Sequence, residues 1–282
     1  MVISNNSDTV SFTGSGTNPN FINSNHNYHK GRLMAGHSHW AGIKHKKGAA
    51  DEKRGKLFSK LSKNIMLAIR DGGPDPDKNL KLRYAIDKAK QANMPKTNIE
   101  RIIKRTSGDD AKDLTELTYE GYGPGGIAIL AEIVTDNRNR TASELRRVFS
   151  KGGGKLGESG CVSYLFDRKG LIIVPGTSIE EEKLMDIVLE VEADDMKEQD
   201  GKYEIYTSPS EFHNIKNSLS EKGVEIETFE VIFIPQNNIM LDEENARKTL
   251  KLLSDIDDHD DVQNVYANYD IPDDIQAKLE AE

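Results

Sequence analysis

The sequence predicts an α+β protein in which a basic N-terminal domain of three helices precedes two small α+β sandwiches, one inserted in the other. Three observations carry that prediction. The hydrophobic period changes from helical to alternating near residue 117. Formal charge is segregated, net +9 over residues 34–110 and net −20 over residues 178–282. Beyond residue 117, short strands alternate with short helices in a pattern too small for a doubly wound nucleotide fold.

The first 33 residues hold 7 Asn and 5 Ser with few apolar anchors, a composition that predicts a disordered extension. It has no continuous apolar segment for a signal peptide, and Arg32 is too little basic charge for a transit peptide, so Met34 is an alternative start. The spacing of Leu57, Leu61, Ile65, Ala68 and Ile69 predicts a helix over 50–70, ended by Gly72-Gly73-Pro74. A second helix is expected over 77–93 with Leu82, Ala85, Ile86 and Ala89 inward and Pro95 as its stop. Thr97-x-x-Glu100 is a capping box that opens a third helix, with Gly108 as its C-cap.

Further along, 127–135 reads as a strand, 142–151 as a helix and 162–167 as a strand. Strands at 171–174, 203–207 and 224–234 and helices at 179–191 and 211–222 follow, then a helix at 243–254 and a last strand at 262–269. The expected segmentation is a disordered 1–33, a helical domain over 34–112, an α+β domain from 113–167 plus 229–282, and an inserted α+β domain over 168–228.

Composition excludes several classes of function. The longest apolar run, 127–134, is interrupted by Glu132 and falls short of the ~20 residues that cross a bilayer, so no membrane partner is expected. Cys161 is the only thiol, which rules out an internal disulfide, a CxxC pair and a cysteine zinc site and fits a reducing, cytoplasmic compartment.

Candidate nucleic-acid ligands begin at Gly36-His37-Ser38-His39-Trp40, followed by Lys44, His45, Lys46 and Lys47. Imidazole, indole and ammonium groups can together stack on bases and contact phosphates. Next, Lys53, Lys56, Lys60 and Lys63 form a stripe about 140° from the apolar face of the first helix, at about 100° per residue. Arg54, Arg83, Arg101, Lys104 and Arg105 add to the basic block, and Arg138 and Arg140, with Arg146 and Arg147, extend it. No helix carries Asn, Gln or Arg in a base-reading register, so sequence-specific readout is not predicted.

Three motifs imitate other chemistries. Gly121-Tyr122-Gly123-Pro124-Gly125-Gly126 fits G-x-G-x-x-G but precedes a strand, and Pro124 removes an amide, so a tight turn is expected rather than a dinucleotide site. Gly152-Gly153-Gly154-Lys155 fails as a P-loop, with Phe149 at the first glycine and Leu156 at the magnesium-binding hydroxyl. The acidic run 255–261 lacks the EF-hand glycine, where Asp260 stands, and its glutamate, where Tyr266 stands. A metal-dependent phosphoesterase built on Asp257, Asp258, His259 and Asp261 is the catalytic alternative; the favoured reading has no enzyme, metal or cofactor.

The blocks Met34-Ala35-Gly36-His37-Ser38-His39-Trp40, Ile43-Lys44-His45, Lys53-Arg54, Met94-Pro95-Lys96, Asn98-Ile99-Glu100-Arg101, Tyr119-Glu120-Gly121-Tyr122-Gly123-Pro124-Gly125-Gly126, Asp136-Asn137-Arg138-Asn139-Arg140-Thr141 and Gly160-Cys161-Val162-Ser163-Tyr164-Leu165-Phe166 together resemble the YebC family. That family includes the mitochondrial translational activator of cytochrome c oxidase subunit I. The resemblance covers residues 34–282. It implies ferredoxin-like sandwiches, one inserted in the other, and a non-enzymatic, DNA-binding transcriptional regulator of the cytoplasm. Other members are similar to ribosome-associated translation factors that bind ribosomal or transfer RNA and relieve stalling on proline-rich stretches. His39 stands where relatives often carry Lys, and residues 1–33 have no counterpart. The acidic C-terminal domains are expected to face solvent or a protein partner.

Overall fold

A computed structural model of the chain describes residues 51–106 and 114–280. The 1–33 extension, the His/Trp segment with His37, His39, Trp40, Lys44, His45, Lys46 and Lys47, and the cap expected at Gly108 lie outside the described residues. So does the side chain of Lys53.

Helices α1 (Asp51–Gly72), α2 (Leu80–Gln91) and α3 (Lys96–Thr106) arise where apolar residues recur every three or four positions. Leu61, Ile65 and Ala68 of α1, Leu82 and Ile86 of α2 and Ile99 of α3 make one core. Asn79 fastens the first two helices together. Its side-chain oxygen accepts the Leu82 N–H at 3.0 Å as the N-cap of α2, and its Nδ2 donates to the carbonyls of Ala68 at 2.7 Å and Gly73 at 2.8 Å. The second helix therefore starts three residues later than periodicity alone suggests, because the cap and not the apolar pattern sets its first turn.

The first sheet has the antiparallel order β3-β1-β2-β9, from β1 (Thr115–Tyr122), β2 (Ala128–Thr135), β3 (Lys155–Leu156) and β9 (Val262–Ala267). Helices α4 (Arg138–Lys151) and α7 (Glu243–Asp257) cover one of its faces, where Ile129, Ile133, Leu145, Phe149, Leu252 and Ile256 pack. The second sheet runs β-α-β-β-α-β through β4 (Phe166–Pro175), α5 (Glu181–Glu190), β5 (Asp195–Gln199), β6 (Lys202–Thr207), α6 (Phe212–Glu221) and β7 (Thr228–Pro235). Its order is β5-β6-β4-β7, all antiparallel, which is the ferredoxin-like arrangement. Relative to the segmentation expected at 168 and 228, this sheet takes in all of β4 and β7, which pair from Phe166 to Pro235.

The two sheets meet through the faces their helices leave open. Ala128, Leu130 and Tyr266 of the first sheet bury against Phe166, Leu171, Tyr206 and Ile232 of the second. Strand β2 is thus covered on both sides, which is why its sequence is nearly continuous in apolar residues rather than alternating. The helical domain belongs to the same compact unit of the chain. Leu67 of α1 packs with Leu114 and Val134, while on α2 Tyr84 lies 5.8 Å from the Phe229 ring and Lys88 pairs with Glu230 at 2.9 Å. Short strands β8 (Ile239–Met240) and β10 (Tyr269–Asp270) pair in parallel, and α8 (Asp273–Glu280) ends the described chain.

Several elements differ from the expectation. The residues read as a strand at 162–167 form a 3₁₀ turn, Ser163–Leu165, before β4 begins. Strands β1 and β5 and helix α8 had no prediction. G-x-G-x-x-G is the hairpin turn between β1 and β2, where the Gly123 N–H donates to the Ile127 carbonyl at 2.9 Å. Gly121 is required by packing, since a Cβ there would stand 2.6 Å from Phe149, and Gly125 by its φ of +72°.

Replacing Asn79 by Ala should lower unfolding free energy by about 2 kcal/mol, for a lost N-cap and the loss of the side-chain donor shared by the Ala68 and Gly73 carbonyls. Asn79→Asp restores the acceptor but not the donors, so chemical denaturation should show it recovering only part of the loss.

Candidate nucleic-acid interface

Lys56, Lys60 and Lys63 of the α1 stripe stand away from its apolar face, as helical geometry requires, but they face protein. Lys60, buried, donates to the Asp257 carbonyl and pairs with the Asp257 carboxylate at 3.4 Å. Lys63 reaches Asp261 Oδ1 at 2.6 Å and the Asp260 carbonyl at 3.0 Å, and Lys56 lies 3.4 Å from the Asp258 carbonyl. These carbonyls follow the last turn of α7, where the helix leaves acceptors unpaired and the macrodipole is negative. The stripe thus caps a helix of another domain. Within the cleft beside it, of about 780 Å³, Lys63 and Arg140 face Asp136, Glu144 and Asp260.

Asp261 is the centre of this arrangement and only 2% exposed. Besides Lys63, its carboxylate accepts hydrogen bonds from Arg140 Nη2 at 2.8 Å, Thr141 Oγ1 at 2.7 Å and Thr135 Oγ1 at 3.1 Å. Burial opposes its ionisation, but the hydrogen bonds from Lys63, Thr141 and Arg140 and the Lys63 charge outweigh burial and hold it well below the usual carboxylate range. His259 Nδ1 accepts the Asp261 N–H at 3.1 Å, which leaves the ring proton on Nε2, 2.9 Å from Glu144. Asp257, His259 and Asp261 are therefore held by groups of the chain itself, and among the described residues no cluster of three metal-ligating side chains exists.

Other predicted ligands divide the same way. Arg83 donates to the carbonyls of Pro76 and Asp77, and Arg140 also pairs with Asp136 at 2.9 Å. Arg54 is exposed over the Phe58 ring. On α3, Arg101, Lys104 and Arg105 line a shallow groove of about 550 Å³, Arg101 holding Asn98 Oδ1 at 3.2 Å. On α4, Asn137 caps the helix by accepting the Arg140 N–H, and Thr141, Leu145 and Phe149 face the core. Arg140, Arg147 and Lys151 then fall within about 40° of one another on the opposite side. The exposed Lys104, Arg138, Arg146, Arg147, Lys151 and Lys155 have no ion-pair partner among the described residues.

Lys151 and Lys155 were not among the predicted ligands. The spacing of Arg140, Arg147 and Lys151, seven and four residues apart on one helix, was the signal that marks the first; pairing of β3 with β1 places the second and leaves no local trace.

Residues 38–109 match a family model described as the TACO1/YebC protein N-terminal domain, and residues 114–269 one described as the TACO1/YebC second and third domain. A probable transcriptional regulatory protein of Geobacter sp. (strain M21) is 52% identical over 247 residues, 87% of this chain and 100% of that protein. One of Halothermothrix orenii, of the same description, is 51% identical over 88% of this chain and 100% of its own length. The crystal structure of a conserved hypothetical protein from Aquifex aeolicus is similar with a TM-score of 0.76 at 50% identity, over 83% of this chain and 98% of that one.

Asp261→Asn leaves Lys63 and Arg140 facing a neutral amide and should destabilise the protein by about 3 kcal/mol near neutral pH. Because the folded state lowers the Asp261 pKa, this stabilisation is complete above the usual carboxylate value of about 4 and fades as pH falls below it. Denaturation curves of the two proteins should therefore converge in acid.

Proposed function

The chain belongs to the TACO1/YebC family, and on that premise we propose that it is a nucleic-acid-binding regulator of gene expression, with DNA as its target. What supports this is the division of its cations. Lys56, Lys60 and Lys63 of α1 are held by the chain's own carboxylates and carbonyls, while Lys104 of α3 and Arg138, Arg147, Lys151 and Lys155 of α4 and β3 stay exposed and without an ion-pair partner among the described residues. Exposed, unpaired cations are the groups that displace counterions from phosphates. The His37, His39, Trp40 and Lys44–Lys47 segment would add a stacking and phosphate-binding arm. Net charge of −20 over residues 178–282 repels a polyanion, which leaves the exposed cations of α3, α4 and β3 as the surface for the ligand and the acidic segment open to a protein partner.

A second reading has one observation in its favour. The amide side chain of α3, Asn98, is bound by Arg101, and that of α4, Asn139, stands in the first turn, so neither cation-bearing helix has an amide at its centre. Contacts limited to the backbone suit the shape of structured RNA, as in a ribosome-associated translation factor. Catalysis has less support, because the acidic turn that would bind a metal is engaged with Lys60, Lys63 and Arg140.

A variant carrying Lys104→Glu, Arg147→Glu and Lys151→Glu should bind a DNA duplex at least tenfold more weakly near 0.1 M salt, with a log–log salt slope flatter by about 1 per residue. Unchanged binding and slope would remove the interface. Sedimentation of cell lysate at low and moderate salt separates the readings: co-migration with ribosomes that the variant loses favours the translation factor, and retention on DNA with no ribosomal co-migration favours the regulator of transcription.

A further inference from the structure

Near the Gly-rich segment, Glu120, Tyr122 and Lys155 share one edge of the first sheet. Tyr122 pairs directly with Lys155 across β1 and β3, so the two side chains lie on the same face, and Glu120 lies two residues back along that face. Glu120 is 4% exposed, and its carboxylate accepts the backbone N–H groups of Gly160 at 2.7 Å, Val162 at 2.7 Å and Ser163 at 2.8 Å. An internal anion thus fills a ring of amides and fixes the loop that carries Tyr164. Tyr122 donates its hydroxyl proton to the Cys161 carbonyl at 2.9 Å, which pins its ring against the same loop. Tyr164 follows Cys161 by three residues, in the 3₁₀ turn Ser163–Leu165.

Both rings nevertheless face solvent, Tyr122 at 40% and Tyr164 at 66% exposure. Among the described residues, the other large exposed apolar side chains, Leu57, Leu80, Leu189 and Met240, are aliphatic and belong to other elements. Two exposed aromatic rings, one on a hydrogen-bonded loop and one tied to it, near an ammonium group with no ion-pair partner among the described residues, offer π faces at little entropic cost and a phosphate contact.

We propose that Tyr122, Tyr164 and Lys155 form a stacking platform for unpaired bases of a single-stranded nucleic acid. The platform rests on the nucleic-acid reading above and adds to it a second surface with a different ligand chemistry. Charge favours a nucleic acid over a protein segment here, since Lys155, paired in register with Tyr122, is exposed and has no ion-pair partner among the described residues.

Fluorescence anisotropy of the full chain with a labelled single-stranded 12-mer, as RNA and as DNA, and with a duplex of the same length tests it. Tyr164→Ala should weaken single-strand binding about five- to a hundredfold, leave duplex binding within twofold, and be rescued by Tyr164→Phe. Circular dichroism melting checks that the exposed substitution leaves the fold intact. The ribo and deoxy strands distinguish RNA from DNA as the source of the bases. If Tyr164→Ala and Tyr122→Ala bind single strands like the wild type while the triple charge variant does not, the platform is overturned and the nucleic-acid reading stands. Equal weakening for duplex and single strand also overturns the platform, as does loss of a protein partner with oligonucleotide binding unchanged. A wild-type protein that binds no strand removes both.

Discussion

The charge of Asp261 has almost no contact with water, and four side chains from three separate elements converge on it: Lys63 of α1, Thr135 of β2, and Arg140 and Thr141 of α4. A buried carboxylate is costly unless it is paired and hydrogen-bonded on every side. Its presence therefore fixes where α1 must lie against the last strand and where α4 must begin. Lys60 and Lys56 follow from the same docking, because once Lys63 is seated the lysines one and two turns earlier stand over the open carbonyls at the end of α7. The helical domain is registered on the first sheet by these contacts and by the small apolar patch of Leu67, Leu114 and Val134.

That docking changes the meaning of the charge segregation. A net +9 beside a net −20 reads as a polyanion-binding end when the chain is laid out as a string. In three dimensions part of the positive block is opposed to part of the negative one, across nearly two hundred residues of sequence. Helical periodicity places Lys56, Lys60 and Lys63 on one face, and nothing local says what that face meets. What the sequence left undetermined was the partner, which is tertiary information.

The same distinction explains which elements were legible. Helices α1, α2, α3 and α7 announce themselves because one stripe is apolar and each has an end signal, such as Asn79 before α2 and Pro95 before α3. Strand β1 hides because it alternates half-buried and exposed residues until its last turn toward Phe149, and β5 because Asp-Met-Lys-Glu-Gln is a polar edge strand held by β6 alone. The 162–167 segment has strand-like composition, but the buried Glu120 draws the amides of Gly160, Val162 and Ser163 into a turn, and β4 starts only once they are past it. Of the interface, the cations of α3 and α4 were visible as residue types, whereas the lack of an ion-pair partner at Lys104, Arg138 and Arg147, among the described residues, was not.

Several of the motif blocks that mark the family turn out to be fasteners. In Asp136–Thr141, Asn137 caps α4 while Arg140 and Thr141 hold Asp261; in the Tyr119–Gly126 block, Tyr119 binds the Arg138 carbonyl and Glu120 orders the loop after Gly157. A residue whose polar atoms are engaged inside the protein cannot also grip a ligand without breaking what it holds. Function is therefore to be sought in what the fasteners present and leave open: the outer face of α4 that Asn137 and Asp261 orient, and the two tyrosine rings on the loop that Glu120 fixes. Both surfaces are built by buried carboxylates that act as internal substitutes for an anion, and both leave their cations and rings in solvent, where a phosphate or a base can reach them.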